Sequence, residues 1–194
     1  MIIKQDEIAI ILGDSPFLNE VQDKIQPVLD RYFSVGINRV INKFHTNVQV
    51  CIDERIIPVA NQHPEIPTVS LYLWGDMIQK ENKELLNMFT YSFRGKQTYD
   101  LVKDNKLAWC GFTHDYAISY CVYKGWKNIF LIGAADFTQG THFSNEDTFN
   151  PAESIIVNSK RFIEEVCTKK ANIFTCNPKS QLKIPRVPIE RLIV

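Results

Sequence analysis

Short apolar runs separated by helix-like segments recur along the 194-residue chain. Residues 8–12 (IAIIL) and 128–132 (NIFLI) are nearly continuous apolar runs, which is the pattern of strands buried on both faces of a parallel sheet. Runs rich in β-branched and aromatic residues predict further strands at 32–36, 48–52, 68–73 and 172–175, and a strand or loop at 91–93.

Helical patterns fill the intervals between these strands. Ser15 and Pro16 suit an N-cap and a first helical position, and apolar residues follow at helical spacing to about residue 30. The patterns predict three more helices, at 76–88, at 113–124 with Gly125 as the C-cap, and near 152–168.

Strands that alternate with helices require crossover connections and therefore a mostly parallel sheet. We predict a Rossmann-like α/β fold, doubly wound, with helices on both faces of the sheet. A chain of 194 residues is long enough for one domain of this kind, so residues 1–194 are predicted to form it, with a short C-terminal tail from about residue 178.

The composition narrows the class of protein. Lys and Arg total 22 and equal Asp and Glu, so no general attraction to nucleic acid is expected. Five cysteines without a CxxC pair favour reduced thiols and a cytoplasmic protein. No apolar run reaches the roughly 18 residues that cross a bilayer, so no transmembrane segment is predicted. The pattern leaves open whether the chain forms an oligomer.

Ligands of doubly wound sheets bind outside the carboxyl ends of the strands, at the point where the strand order reverses. In the predicted fold this rule selects, as candidate nucleotide-binding residues, Gly13, Asp14, Ser15, Asn38, Asp53, Thr113, Gly133 and Ala134. The turn GDSP precedes a predicted helix and could hold a phosphate, although ordinary strand-to-helix turns have the same composition.

Three further side-chain types on this edge could carry chemistry. Asp14, Asp53 and Asp136 each follow a predicted strand and could together bind Mg²⁺, or could simply cap turns. Asn38 could bind a base or ribose, or cap a helix. Asp136 and His142 are the candidate catalytic residues, with His142 as a general base in a loop where histidines are commonly just exposed to solvent.

Five segments, in chain order, resemble the bacterial sialyltransferase-like and motility-accessory glycosyltransferase group, which is itself similar to an archaeal pterin diphosphokinase family. They read AIILGDSPFLNEV, VGINRVI, VCIDERI, THDYAISYCVYKGWKNIFLIGAADF and IFTCNPKSQL. Over about the whole chain, the resemblance implies a Rossmann-like nucleotide-binding core.

The resemblance also implies roles for single residues. Gly13 and Pro16 match the group's Gly-Asn-Gly-Pro-Ser turn, which holds the donor's nucleotide. Asn38 matches an asparagine of the nucleotide site, while Asp53 and Thr113 stand where the group has asparagine and serine.

At the catalytic end the chain departs from the group. Thr138 and Phe143 occupy the positions nearest to the group's phosphate-binding tyrosines, and the lid that carries its base histidine is shorter, with His142 as the nearest substitute.

Three hypotheses follow. The leading one is a sialyltransferase-like, nucleotide-sugar-dependent glycosyltransferase that acts on a glycan or another hydroxyl acceptor without a cofactor; a CMP-linked sugar is one candidate donor. The second is Mg²⁺-dependent diphosphoryl transfer from ATP, as in the pterin enzymes. The third is a non-catalytic nucleotide-binding or structural protein of the same fold.

Overall fold

A computed structural model of the chain describes residues 5–93, 100–137, 140–141, 148–149 and 151–193. The strands are β1 Ile8–Leu12, β2 Phe33–Ile37, β3 Val48–Cys51, β4 Thr68–Ser70, β5 Lys83–Leu85, β6 Asn87–Thr90, β7 Val102–Lys103, β8 Lys106–Trp109, β9 Asn128–Ile132, β10 Gly140–Thr141, β11 Thr148–Phe149 and β12 Asn172–Thr175. The helices are α1 Leu18–Leu29, α2 Ile57–Gln62, α3 Thr113–Tyr123, α4 Glu153–Arg161 and α5 Glu190–Ile193, and a π-helical turn, Phe162–Val166, continues α4.

The central sheet has seven strands in the order β12-β9-β1-β2-β3-β4-β5, and all its neighbouring pairs are parallel. The chain starts in the middle of the sheet at β1 and proceeds outward to β5. It then returns to the other side of β1 as β9 and continues to β12. The strand order therefore reverses between β1 and β9, and the predicted Rossmann-like architecture is confirmed.

Both faces of this sheet are covered by helices. Ala9 and Ile11 of β1 point into one core with α3 and the π-helical turn, while Ile10 and Leu12 point into a second core with α1. All four side chains are fully buried. Burial on both faces explains why the sequence of β1 is a continuous apolar run.

A small second sheet, in the order β6-β8-β7, connects the edge of the main sheet to α3. β6 runs parallel to β8 and β7 runs antiparallel to it. Because β8 ends at Trp109 and α3 begins at Thr113, this sheet sets the position of the amino end of α3.

The helix predicted over residues 76–88 is wrong, because this segment contains β5 and the first half of β6. Lys83 pairs with Thr68 of β4 and Asn87 pairs with Lys106 of β8, so tertiary pairing overrides the local preference of its Lys, Glu and Leu residues for helix.

Other elements differ from prediction in their bounds. β2 lies one residue later than predicted, and β4 ends at Ser70 because a 3₁₀ turn, Tyr72–Trp74, follows it. Residues 91–93 have no regular structure. The helix predicted near 152–168 is α-helical only to Arg161. In the part of the chain that the structure describes, no helix is both long and apolar enough to cross a membrane.

Candidate functional site

The turns that follow β1 and β9 are interlocked at the point where the strand order reverses. The Gly13 N–H donates to the Ile132 carbonyl at 2.9 Å and the Ser15 N–H donates to the Gly133 carbonyl at 3.0 Å. A Cβ atom on Gly13 would lie 2.3 Å from the Gly133 carbonyl oxygen, so only glycine permits this approach. Gly133 itself has a φ of 62°.

Ser15 connects this turn to the loop after β9 rather than capping α1. Its hydroxyl donates to Asp136 Oδ2 at 2.5 Å, and α1 begins only at Leu18, with no side-chain cap. The prediction of Ser15 as an N-cap is therefore wrong. The Ser15 hydroxyl has instead a charged partner from a distant part of the sequence.

Asp136 is a buried carboxylate, with 2% of its surface exposed. Burial raises the pKa of Asp136 from 3.8 to about 6, while the Ser15 hydroxyl and the Asn177 side chain oppose this rise. The Asn177 side chain is close enough to favour the ionised form, but no donor of the described residues meets the distance and angle of a hydrogen bond with Oδ1. The side chain thus carries one occupied oxygen and one oxygen that can accept a proton or a hydrogen bond.

This geometry limits how the GDSP turn could bind a phosphate. The Gly13 and Ser15 N–H groups already donate to the carbonyls of Ile132 and Gly133. A phosphate near this turn would therefore need other hydrogen-bond donors along the carboxyl edge of the sheet. Ala134, also buried, packs its backbone against Gly13. Asp14 lies in the same turn and is buried as well.

Next along the edge, Asn38 and Asp53 follow β2 and β3. Asn38 has a φ of 56°, and its carbonyl accepts from the Gln49 side chain at 3.5 Å. Asp53 caps the 3₁₀ turn Glu54–Ile56 and binds the Arg55 guanidinium at 2.6 Å. Mainly because of the Arg55 hydrogen bond, the pKa of Asp53 is lower than usual. Its carboxylate is therefore engaged.

A cavity of about 390 Å³ lies on the same edge, beyond Asp53. The residues that line it come from the ends of β3, β4 and β8 and from the start of α3, and they include Asp53, Glu54, Trp74, Trp109, Gly111 and Thr113. This volume is within the range of about 300–1,000 Å³ that small-molecule sites occupy. The structure therefore brings Asp53 and Thr113 into one cavity.

The amino end of α3, which borders this cavity, is held by a buried polar cluster. Asp115 accepts from the Phe112 N–H at 3.0 Å and from the Ser159 hydroxyl at 2.5 Å, and His114 Nε2 lies 3.1 Å from the same hydroxyl. Burial raises the pKa of Asp115 to about 7 and lowers that of His114 to about 3. His114 is therefore neutral and structural at physiological pH.

The predicted site residues thus form two groups on one edge. Gly13, Ser15, Gly133 and Asp136 meet where the strand order reverses, and Asp53 and Thr113 meet in the cavity. His142, Thr138 and Phe143 lie outside the described residues, so the proposed base stays a prediction. Nowhere in the described ranges do three His, Cys, Asp or Glu side chains gather as a metal site requires.

The sequence did not reveal the two tryptophans of the cavity. Neither Trp109 nor Trp74 is among the candidate site residues of the sequence, yet both line the cavity and are only half-buried. They are 35 residues apart: Trp74 ends the 3₁₀ turn that follows β4, and Trp109 is the last residue of β8. The sequence offered a signal only for Trp74, which directly follows the strand predicted at 68–73, where ligand-binding residues are common.

Comparison with known proteins supports the fold. The sequence matches no protein-family model and no curated protein. Among solved structures, the MAf glycosyltransferase from Magnetospirillum magneticum AMB-1 superposes with a TM-score of 0.65 and 12% identity over 98% of this chain. The chain spans 35% of that protein. At this identity the similarity shows a shared fold.

Proposed function

We propose that the protein is a nucleotide-sugar-dependent glycosyltransferase of the sialyltransferase-like and motility-accessory type. The donor's nucleotide lies along the carboxyl edge of the sheet. Its phosphate lies near Gly13, Asp14, Ser15, Gly133 and Ala134. Its nucleoside extends toward Asn38, Asp53 and Thr113. The acceptor is a glycan or another molecule with a reactive hydroxyl, and the protein acts in the cytoplasm.

The observation that carries this proposal is the carboxylate at the reversal point. Ligands of parallel sheets bind at this point, and Asp136 presents there a buried oxygen without a donor in the described residues. Buried polar atoms are nearly always satisfied in folded proteins. A substrate hydroxyl that displaces the groups covering Oδ1 would satisfy it.

The chemistry of sugar transfer fits such a group. Transfer needs a base that accepts the proton of the acceptor hydroxyl and groups that stabilise the departing phosphate. A carboxyl group with a pKa of about 6 is mostly ionised at pH 7 and is a stronger base than an ordinary aspartate. The fold shared with a protein described as a MAf glycosyltransferase supports the same reaction class.

Asn38 provides the first test of the nucleotide path. Its φ of 56° would strain an alanine, so Asn38→Gly is the better variant because it removes the amide and keeps the backbone. We expect CMP and CMP-sugars to bind about tenfold more weakly to this variant, from the loss of its hydrogen bonds. Isothermal titration would measure the change.

Asn105→Gly is the matched control. Asn105 has a φ of 59° in the exposed turn between β7 and β8, so its replacement changes the chain in the same way away from the site. Equal affinity of the two variants would remove Asn38 from the nucleotide site.

Turnover tests the reaction itself. Wild-type protein, given nucleotide sugars and a mixture of hydroxyl acceptors, should release free nucleotide, and Asp136→Ala should not. No release from any nucleotide sugar by wild type would contradict the proposal and favour a non-catalytic nucleotide-binding protein.

A further inference from the structure

The two tryptophans of the cavity use their indole N–H groups differently. The Trp74 Nε1–H donates to the Ile52 carbonyl at 3.2 Å, which fixes this ring as a wall of the cavity. The Trp109 Nε1 atom is also shielded from solvent, yet no acceptor in the described part of the chain lies within hydrogen-bond distance. An unsatisfied buried donor costs about 1–3 kcal/mol. Because Trp109 lines the cavity, a ligand that displaces the groups covering Nε1 would supply the missing acceptor.

The charges of the lining limit what that ligand can be. Asp53 is neutralised by Arg55, but Glu54, also in the lining, forms no ion pair in the described residues. A carboxylate accepts hydrogen bonds from hydroxyl groups and repels anions. This lining therefore disfavours an anionic ligand group, and Glu54 can accept hydrogen bonds from ligand hydroxyls.

The indole rings favour a particular shape. Aromatic faces carry a negative quadrupole, which attracts the slightly positive C–H bonds on the face of a sugar ring. A sugar ring also has oxygens that accept from Trp109, hydroxyls that donate to Glu54, and a size compatible with a cavity of about 390 Å³. A flat base could stack on the same rings but offers fewer hydroxyl-type donors.

We infer that this cavity is a sugar-ring site, in which Trp109 donates its indole N–H to a ring or hydroxyl oxygen and Glu54 accepts from a neighbouring hydroxyl. The inference rests on the proposed function. β3 lies two strands from β1, about 10 Å away at the usual strand spacing. At that distance, the ring is either the ribose of the donor nucleotide or the sugar of an acceptor.

Fluorine NMR of the full chain labelled with 5-fluorotryptophan can observe the cavity directly. The chain has three tryptophans, so three resonances are expected, and Trp→Phe variants assign them. Trp126 stacks on Phe33 at 4.8 Å, just before β9 at the amino end of the sheet, and serves as the internal control. The ligands are methyl glycosides, cytidine, CMP, ribose and free cytosine.

We expect the Trp74 and Trp109 resonances to shift, with Trp126 unchanged. Shifts with cytidine, CMP and ribose identify the donor's ribose, and shifts with methyl glycosides identify an acceptor sugar. A Trp109→Phe protein keeps the aromatic wall but loses the N–H, so it should bind the active ligand about fivefold more weakly. Trp126→Phe should bind it as wild type does.

The outcomes separate this inference from the proposed function. If nucleotides stabilise the protein but neither they nor the methyl glycosides move the Trp109 resonance, the sugar-ring site is wrong and the glycosyltransferase proposal stands. If glycosides move Trp109 while no nucleotide binds, the site stands and the proposed function fails. The site is also overturned if cytosine moves Trp109 and the sugars do not, if nothing moves it, or if Trp109→Phe binds at full strength.

Discussion

Replacing Asp136 by asparagine is expected to stabilise the folded protein at neutral pH and to remove part of its pH dependence. The pKa of Asp136 is about 6 in the folded protein, against 3.8 for an ordinary aspartate. The folded state therefore holds the proton more tightly than the unfolded state. The stability that this proton contributes is present below pH 4 and is lost as the pH rises through 6.

The size of the effect follows from the two pKa values. Each tenfold change in proton affinity corresponds to about 1.4 kcal/mol, so ionising Asp136 in the folded state costs about 3 kcal/mol at pH 7. Asparagine keeps an acceptor for the Ser15 hydroxyl but adds amide N–H donors, which cost about 1 kcal/mol when unsatisfied. Asp136→Asn should gain about 2 kcal/mol at pH 7 and lose about 0.5–1 kcal/mol at pH 4, where the amide still costs stability but the wild-type carboxyl is almost fully protonated.

Urea unfolding at several pH values between 4 and 7 measures this difference. Asp115, with a pKa of about 7, titrates in both proteins, so the difference between them isolates Asp136. Asp23→Asn, which removes an exposed carboxylate on α1, reports the general effect of one lost negative charge. Stability curves for wild type and Asp136→Asn that run parallel across this range would refute the argument.

Two other substitutions test the rest of the edge. Gly13→Ala places a Cβ 2.3 Å from the Gly133 oxygen and should cost about 2–4 kcal/mol of unfolding free energy, from overpacking and lost hydrogen bonds. Gly125→Ala is the control, because Gly125 has a φ of 92° but a Cβ there would meet no atom within 4 Å, so this change should cost only about 1–2 kcal/mol. Equal losses of unfolding free energy for the two variants, measured in urea, would contradict this account. Asp53→Asn removes the exposed pair with Arg55 but keeps a good cap, so a loss above about 1 kcal/mol would be unexpected.

The sequence predicted the middle of the fold well because burial there is two-sided. β1 and β9 are surrounded by other strands and by helices on both faces, so nearly every position must be apolar. Such runs can be recognised without knowledge of any partner. The glycine that ends each run, Gly13 or Gly133, was also visible, although its close approach to the other glycine was not.

The edge of the sheet could not be predicted in the same way. Lys83 and Glu84 of β5 are at least partly exposed, so burial imposes no apolar pattern, and their local preference for helix suggested the wrong element. Only pairing with β4, a non-local interaction, selects the strand.

The candidate site was predicted in part for a related reason. Polar residues after strands mark the carboxyl edge, which identified Asp136, Asp53 and Thr113. Which of these side chains meet depends on distant contacts: Ser15 and Asp136 are 121 residues apart, and Trp74 and Trp109 share a cavity only because β8 belongs to a second sheet. No local pattern encodes such pairs.

The most direct test of the central claim is a thermal-shift panel of CMP, CMP-sugars, UDP-sugars, GDP-sugars and ATP, each with and without Mg²⁺. A ligand at about 100 times its dissociation constant adds about 2.7 kcal/mol, or roughly 5–10 °C for a chain of this size. We predict a shift with nucleotide sugars that does not require the metal. A shift with ATP that requires Mg²⁺, or no shift with any nucleotide, would contradict the assignment of a nucleotide-sugar glycosyltransferase.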